Sequence, residues 1–572
     1  MVYFNSHQRT SKSFISIIAN SFYFNSNIIL SNYILEEKII FLNELQLNVI
    51  EILLKLIKKH LCIKPTTMAI LGNIIKGVIN LTDTFSFESN PIENQEKVLK
   101  NLLETAKNTK FGEKYHFKTI LLSDDLQESF ADEVPYFDYN KINKKWWSKL
   151  HKGKTDVTWP GTPSYFALSS GTTGKKSKRI PVTDEMIDAI KSSGIKQVTS
   201  LSNFDLPADF FEKEIMMLGS STDLKEKNDH LEGEISGISA SNIPFWFKGY
   251  YKPGEEIAKI DDWDERVANI AENAKTWDIG ALSGIPAWIE LMMKEVIKYH
   301  NVENIHEVWP NLQVYTSGGV AFSPYEKSFN ALLGKPVTVI DTYLASEGYI
   351  ATQIRPDANA MQLNTENGIY FEFVPMNPDY IKEDGSLKKS APAISIKDVE
   401  LDQDYILIIS TVSGAWRYLI GDTIAFTDIE KAEIKITGRT KFFLNTVGSQ
   451  LSVNKMDDAM KHLEETYNTE ITEYTICAKR FEDGEFYHSW YLGTDLNADE
   501  NEVADTLDSF LKDANKNYKV ARSKALKGVK VKIIPQEKFY EWSDKNKKKG
   551  GQVKMERVMK EDKFAEWEEF VN

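Results

Sequence analysis

An α/β fold, with a large unit followed by a small α+β unit, is what this 572-residue sequence predicts. Three observations carry the expectation. The length exceeds what one ordinary core sustains, so two or more packed units are expected. Strand-like runs alternate with helical ones from about residue 90 to roughly 436. After Gly438 the pattern restarts as a shorter set of helices and strands.

Taken in order, residues 1–67 stand apart: they hold no Gly, no Asp and one Ala, and are dense in Ile, Asn, Phe and Leu. Seven Lys or Arg against four Asp or Glu give them +3, leaving −17 to the remainder of a chain whose net charge is −14. The expectation is an atypical extension outside the native protein, with Met68 as the working start. An accessory amphipathic helix over 36–60 is the plainer alternative. A helix over Glu93–Thr109 opens the large domain, and Glu214–Leu218, Leu312–Thr316, Val337–Asp341, Ile369–Val374 and Tyr405–Thr411 read as strands. Several of these run into Gly/Ser turns, where α/β sheets place their ligands. The small domain reads as helix 453–467, strands near 471–479 and 486–492, helix 500–516, strand 529–534 and helix 536–544. The boundaries drawn are 68–437 for the large domain, 438–448 for the connection and 449–572 for the small domain. No repeat of solenoid period is visible.

Composition narrows the function classes. A hydrophobic content of 42% with 27% charged residues is that of a globular chain. The net charge of −14 argues against a nucleic-acid partner, whose phosphates call for clustered Lys and Arg. The two cysteines, Cys62 and Cys477, form no CxxC and have no nearby His cluster, so neither disulfides nor a zinc site is expected, and a cytoplasmic protein fits. The most apolar run, Ile39 to Ile57, is interrupted by Asn43, Glu44, Asn48, Glu51 and Lys55, so no membrane span is expected. The opening residues lack the apolar core and cleavage site of a secretory leader.

Chemistry concentrates in three places. Ser169-Ser170-Gly171-Thr172-Thr173-Gly174-Lys175-Lys176-Ser177-Lys178 follows the apolar run Tyr165–Leu168. Its glycines expose backbone N–H groups, its hydroxyls donate to oxyanions and its lysines supply counter-charge, a set suited to a triphosphate. It is not GxxxxGK[ST], because Ser169 stands where that pattern needs Gly. On its own it establishes anion binding, and a solvated Ser/Gly linker is the alternative. Next come Ser317-Gly318-Gly319 and Asp341-Thr342-Tyr343-Leu344-Ala345-Ser346-Glu347-Gly348, each ending a strand. Tyr343 could stack a base and Glu347 could hold Mg²⁺, a hard cation that takes oxygen ligands beside phosphates. Tyr343 in the core and Glu347 as a solvated acid is the equally simple reading. The third is Trp416-Arg417-Tyr418-Leu419-Ile420-Gly421-Asp422, where Asp422 can accept from two ribose hydroxyls, although a lone Gly-Asp is usually a turn.

In this order and spacing the three motifs resemble the adenylate-forming superfamily and, more closely, a bacterial-type member of the auxin-responsive promoter (Gretchen Hagen) family of acyl acid amido synthetases. The resemblance spans roughly 68–572 and takes in Asn90-Pro91, Phe111-Gly112, Val134-Pro135 and Trp159-Pro160-Gly161. It implies a large multi-sheet adenylate-forming domain joined by a hinge to a small mobile domain, with ATP and Mg²⁺ as cofactors. Ser169, Ser170, Gly171, Thr172, Thr173, Gly174 and Lys178 would grip the ATP phosphates. Tyr343, Ser346 and Glu347 would contact adenine, phosphate and metal, with Ser317, Gly318 and Gly319 on the adenine side. Asp422 would bind the ribose, with Tyr418 and Gly421 shaping its surroundings. Gly438–Gly448 is similar to the hinge, placing Arg439 near the nucleotide and Lys441 at the hinge position. Lys547–Lys554 resembles the loop of the adenylating lysine, which makes Lys554 the candidate; a solvated basic tail is the alternative. One departure is plain: the family's third motif is Tyr-Arg-x-Gly-Asp, whereas here Leu419 follows Tyr418 and the arginine, Arg417, precedes it.

The implied activity is attack of a carboxylate on the α-phosphorus of ATP, release of pyrophosphate, and displacement of AMP from the acyl-adenylate by an amine, by family analogy that of an amino acid. A CoA ligase sharing the first half-reaction is the competing enzyme reading. A nucleotide-binding sensor without catalysis, suggested by Leu419, is the non-enzyme one. The aromatic stretch Pro244–Tyr251 reads as core packing or a substrate wall.

Overall fold

The computed structural model describes residues 90–169, 178–227, 229–243, 247–319, 322, 325–381, 386–440, 451, 453–480, 486–515, 518–519, 522, 526–546, 555–559 and 561–572, all within the compact unit Met68–Asn572. The expectations for residues 1–67, for Lys441–Gly448 and for Lys554 lie outside these described residues.

The first described helix, Pro91–Ala106, starts ahead of the expected Glu93, because Asn90 caps it by accepting from the Ile92 N–H and Pro91 pre-sets its first turn. It buries Val98, Leu99, Leu102, Leu103 and Ala106 on one stripe. On the same stripe Gln95 spends its whole amide on backbone. It donates to the Thr365 and Ile369 carbonyls at 2.7 and 2.9 Å and accepts from the Phe371 N–H at 2.7 Å. That helix therefore covers the open edge of a sheet, whose unpaired groups would otherwise face water.

The strands run in chain order β1 Tyr165–Ser169, β2 Lys178–Val182, β3 Glu214–Leu218, β4 Lys225–Lys227, β5 His230–Gly233 and β6 Tyr251–Lys252. Next come β7 Ile279–Gly284, β8 Val314–Gly318, β9 Thr338–Ala345, β10 Gly348–Thr352, β11 Met361–Leu363 and β12 Ile369–Pro375. The last six are β13 Asp404–Thr411, β14 Tyr418–Asp428, β15 Glu433–Arg439, β16 Glu473–Arg480, β17 Phe486–Gly493 and β18 Leu526–Ile534. Among the described residues they form three sheets. Eleven strands make one, in the order β12-β13-β14-β15-β11-β10-β9-β8-β7-β3-β6. Its β6-β3-β7-β8-β9 half is parallel and the rest antiparallel, the change falling at β9/β10. A four-stranded sheet, β2-β1-β5-β4, packs beside it, and β16-β17-β18 belongs to the C-terminal domain.

The parallel strands carry their helices on Trp263, Ile270, Met292, Trp309 and neighbours, one continuous core. A second core, around Phe111, Trp147, Trp416 and Phe373, fills the antiparallel half, and a third, around Met460, Trp490 and Leu507, fills the C-terminal domain. The fold class is thus as expected: a large multi-sheet α/β domain with a smaller α+β domain after it. Four elements and one short segment differ from the sequence expectation. β8 begins at Val314 and β9 runs on to Ala345, since pairing with their neighbours holds Ser317, Gly318 and Thr342 in strand. β15 extends to Arg439, past the boundary drawn at 437, and a further helix, Glu561–Val571, packs Phe564 and Trp567 on the C-terminal domain. Gly421-Asp422 is no turn but lies inside β14.

Candidate active site

Ligand crevices in α/β sheets open beyond the carboxyl ends of parallel strands. Here β7, β8 and β9 end at Gly284, Gly318 and Ala345, and the residues there line a cavity of about 1280 Å³. The C-terminal domain contributes Asp457, Lys461, Tyr540 and Arg557 to the same lining.

β9 turns into β10 in two residues, Ser346 and Glu347, with Ala345 paired to Gly348. Gly348 makes so tight a turn possible: its φ is +147°, and a Cβ there would stand 2.9 Å from Ile369 Cδ1. Glu347 is thereby buried in the cavity wall, 7% exposed. Burial pushes its carboxyl up, with Asp422 adding to the rise and Lys178 opposing it, and the Tyr418 hydroxyl lies against it. Tyr343, earlier on β9, donates its hydroxyl to Asp422 Oδ2, joining β9 to β14 across 79 residues of sequence. Gly421 takes φ +99°, a conformation only glycine adopts without strain, and brings the β14 backbone to the cavity beside Asp422.

Lys178 enters from the other sheet. It opens β2 directly opposite Ser169 on β1, and both residues line the cavity. Its Nζ sits 5.6 Å over the Tyr139 ring, and the Tyr139 hydroxyl accepts from the next backbone N–H, Arg179, at 2.9 Å. Arg179 is tied to Glu232 on β5, so the hairpin is braced from both sides. Ser170, Gly171, Thr172, Thr173 and Gly174, between these strands, lie outside the described residues.

Of the residues singled out by sequence, Ser169, Lys178, Gly318, Gly319, Tyr343, Ser346, Glu347, Gly421 and Asp422 meet at this one cavity. Ser317 is 1% exposed and is not among the lining residues, because alternation along β8 turns it to the opposite face from Thr316 and Gly318. Tyr418 is fully buried and is not in the lining; it interacts electrostatically with Glu347. Gly438 lines the cavity, whereas for Arg439 only the backbone, at the end of β15, is described. Leu419 is in the lining, and Arg417 does not take its place there. Arg417 points away, its guanidinium held by Glu372 at 2.9 and 3.0 Å and by the carbonyls of Ala131 and Val134.

Sequence reading missed Tyr139, Arg266, Asp341 and the C-terminal quartet. No spacing rule points to them; they arrive through packing. Asp341 sits in a burial that raises its carboxyl pKa, two residues before Tyr343. Of the stretch 244–251, Tyr251 is buried and also lines the cavity. No three His, Cys, Asp or Glu side chains gather to ligate a metal among the described residues.

Three family descriptions match the chain: the GH3 family N-terminal domain over residues 81–271, the GH3 family central domain over 363–439 and the GH3 family C-terminal domain over 453–563. An indole-3-acetic acid-amido synthetase, GH3.2, of Arabidopsis thaliana is 25% identical over 190 residues, 31% of this chain and 34% of that protein. The indole-3-acetic acid-amido synthetase GH3.8 of Oryza sativa subsp. indica is 26% identical over 224 residues, 36% of each chain. The chain thus spans about a third of the length of the curated relatives it matches. Among solved structures, the GH3.15 acyl acid amido synthetase superposes with a TM-score of 0.69 at 15% identity, covering 87% of this chain and 96% of that one. A 2-hydroxyisobutyryl-CoA ligase, in complex with its acyl-AMP, gives a TM-score of 0.54 at 12% identity over 83% and 91%. These superpositions establish a fold shared with both structures.

Proposed function

The chain belongs to the GH3 family, and from that premise we propose that it activates a carboxylic acid with ATP as an acyl-adenylate and transfers the acyl group to an amine, that of an amino acid. The observation that supports this most is the meeting of Lys178, Glu347, Tyr343 and Asp422, from two sheets, at one cavity.

In this reading Asp422, already oriented by the Tyr343 hydroxyl, meets the ribose hydroxyls, and Gly318 and Gly319 give the nucleoside a side-chain-free wall. Lys178, with the hydroxyls and amides of Ser169–Gly174, meets the phosphates. A Mg²⁺ ion held by Glu347 would supply positive charge to the phosphate oxygens. The burial that raises the Glu347 carboxyl marks a site that a nearby positive charge would relieve. The acid and ATP are both anionic, so Lys178 and Lys554 offset their repulsion while the cavity holds them together. The amine then attacks the acyl carbonyl: a C–N bond forms, the acyl C–O bond breaks with its electron pair going to the AMP phosphate oxygen, and the nitrogen gives up a proton to water. Met555, Glu556 and Arg557, which follow Lys554, line the cavity and favour its assignment as the adenylating lysine. We also propose 438–448 as the hinge and a cytoplasmic location, with residues 1–67 outside the native protein.

The test is acid-dependent ATP–pyrophosphate exchange on the full chain against a pool of carboxylic acids, then mass spectrometry after adding amino acids or CoA. An amide product is expected. A CoA thioester would replace the acceptor in this reading, and ATP binding without exchange for any acid would refute the activity. Asp422→Ala should raise the KM for ATP roughly tenfold to hundredfold, the range for a lost charged hydrogen bond.

A further inference from the structure

The helix Trp263–Asn273 places Arg266 in the wall of the same cavity, at the β3/β6 end of the sheet. The residue is 3% exposed. Its Nε is buried with no hydrogen-bond partner, and no hydrogen bond or ion pair of its side chain is found among the described residues. The guanidinium carbon lies 5.5 Å from the centroid of the Trp263 ring. A guanidinium cannot shed its proton to escape burial as a lysine or histidine can. An arginine placed in this way is completed by an anion that arrives with a ligand.

The surroundings select the anion. Glu234, Asp261 and Tyr251 are the acidic groups that act electrostatically on Arg266, and Glu234 is engaged by the Ser220 hydroxyl. With negative charge already near, a singly charged planar carboxylate suits the fork better than a dianionic phosphate. Position excludes the carboxylate that is to be adenylated. β6 and β9 are four strand spacings apart, roughly 19 Å of sheet, and Glu347 follows β9 whereas Arg266 faces Tyr251 of β6. The walls between are small or apolar, among them Gly219, Gly284, Pro253 and Trp288, and so leave room for the body of a substrate.

We propose that Arg266 is a carboxylate-binding residue of this cavity, holding a substrate carboxylate other than the one that is adenylated. That carboxylate is either the α-carboxylate of an amino-acid acceptor or a second carboxylate of the acyl acid. The assignment rests on reading the cavity as an acyl-adenylate site.

The experiment uses the full chain, with Arg266→Gln and Arg266→Lys beside it. Calorimetric titration without ATP compares L-alanine with L-alaninamide, and glutarate with butyrate. The wild type should bind at least one carboxylate-bearing member of these pairs tenfold to hundredfold more tightly than Arg266→Gln does. Arg266→Lys should recover part of the difference, having the charge without the fork. In turnover, a rise in the KM for the amino acid that is not matched in exchange assigns the acceptor as the source. A rise confined to exchange with dicarboxylic acids assigns the acyl acid. Without ligand, Arg266→Gln should melt no lower than the wild type, because no described hydrogen bond or ion pair is lost. Equal binding of every probe by wild type and Arg266→Gln overturns the proposal, and so does a lowered melting point without a change in binding. The titrations need neither ATP nor turnover, so a failure of exchange in the wild type counts against the activity and leaves the Arg266 result standing.

Discussion

Arg417 and Arg266 are equally buried, each 3% exposed, and they are surrounded in opposite ways. Arg417 is gripped by both oxygens of Glu372, donates to two backbone carbonyls and lies 4.3 Å over the Tyr136 ring. Arg266 has an indole face and a cavity. The first arginine closes a network that pins the segment Ala131–Val134 and Phe137 to β14, whose start it reaches at φ +39°. The second makes no hydrogen bond or ion pair among the described residues, in the wall of the cavity. A buried cation is therefore not in itself a sign of function or of structure; what decides is whether the protein supplies the counter-group.

Removing one partner of the closed network is the most damaging break. Arg417→Met strands the Glu372 carboxylate, which burial already pushes up, and should lower stability by about 3–5 kcal/mol in urea unfolding. Adding Glu372→Leu should restore most of that loss, since an apolar pair of similar volume avoids the desolvation of both ions. A double variant as unstable as the single would show that the backbone carbonyls, not the ion pair, are what Arg417 serves.

The same contrast explains how much the sequence disclosed. Glu214–Leu218 and Ile369–Val374 are largely apolar runs, and their strands are found where pattern alone puts them. Val337–Asp341 stops short because Asp341-Thr342 breaks the apolar pattern, yet pairing with β8 and β10 carries the strand to Ala345. Tyr343, Glu347 and Asp422 were legible because they sit in short motifs with fixed spacing around glycines. Arg266 was not, because Trp263-Asp264-Glu265-Arg266 reads as an ordinary first turn of a helix, and the lack of a hydrogen-bonded partner among the described residues is a property of packing. Where Arg417 points was hidden for the converse reason: it neighbours Tyr418 and Leu419 in sequence, but the left-handed backbone at Arg417 sends its side chain to Glu372.

A third buried base sharpens the comparison. His488 on β17 is fully buried with neither ring nitrogen hydrogen-bonded among the described residues, and it is not in the lining of the cavity. Unlike an arginine it can stay neutral, and burial, aided by Arg522 and opposed by Asp508, holds its pKa down at about 3. Its folded pKa lies below the unfolded value of 6.5, so the unfolded chain takes up the proton first. The stability it contributes is complete above pH 6.5 and is lost as pH falls towards 3. At pH 5 the loss should be about 2 kcal/mol. His488→Leu should remove that share of the acid sensitivity between pH 7 and pH 5, leaving the portion due to His151, whose pKa is likewise lowered, to about 4. An unchanged acid response would mean that the imidazole finds a proton acceptor in the folded protein.

The smallest expected effect lies where the two domains meet. Arg557 repeats the closed pattern of Arg417: it donates to Glu473 at 2.7 Å and to the Thr472 and Tyr474 carbonyls, and covers the Tyr474 ring. The other Glu473 oxygen accepts from the Tyr325 hydroxyl of the large domain, at 2.9 Å and out of solvent. Tyr325→Phe keeps the ring and the Arg557 pair and removes one hydrogen bond, so it should weaken this placement of the C-terminal domain by about 1 kcal/mol. That multiplies the population of any other placement by roughly fivefold. If the two half-reactions of the proposed activity use different placements, the single-turnover rates of adenylation and of transfer should shift in opposite directions, each by up to about fivefold. Rates that fall together would mean that the Tyr325 contact supports the fold of the cavity and does not bias the domains. The closed network at Arg557 would then be structural in the same sense as the one at Arg417, and the open charge at Arg266 would remain the feature that waits for substrate.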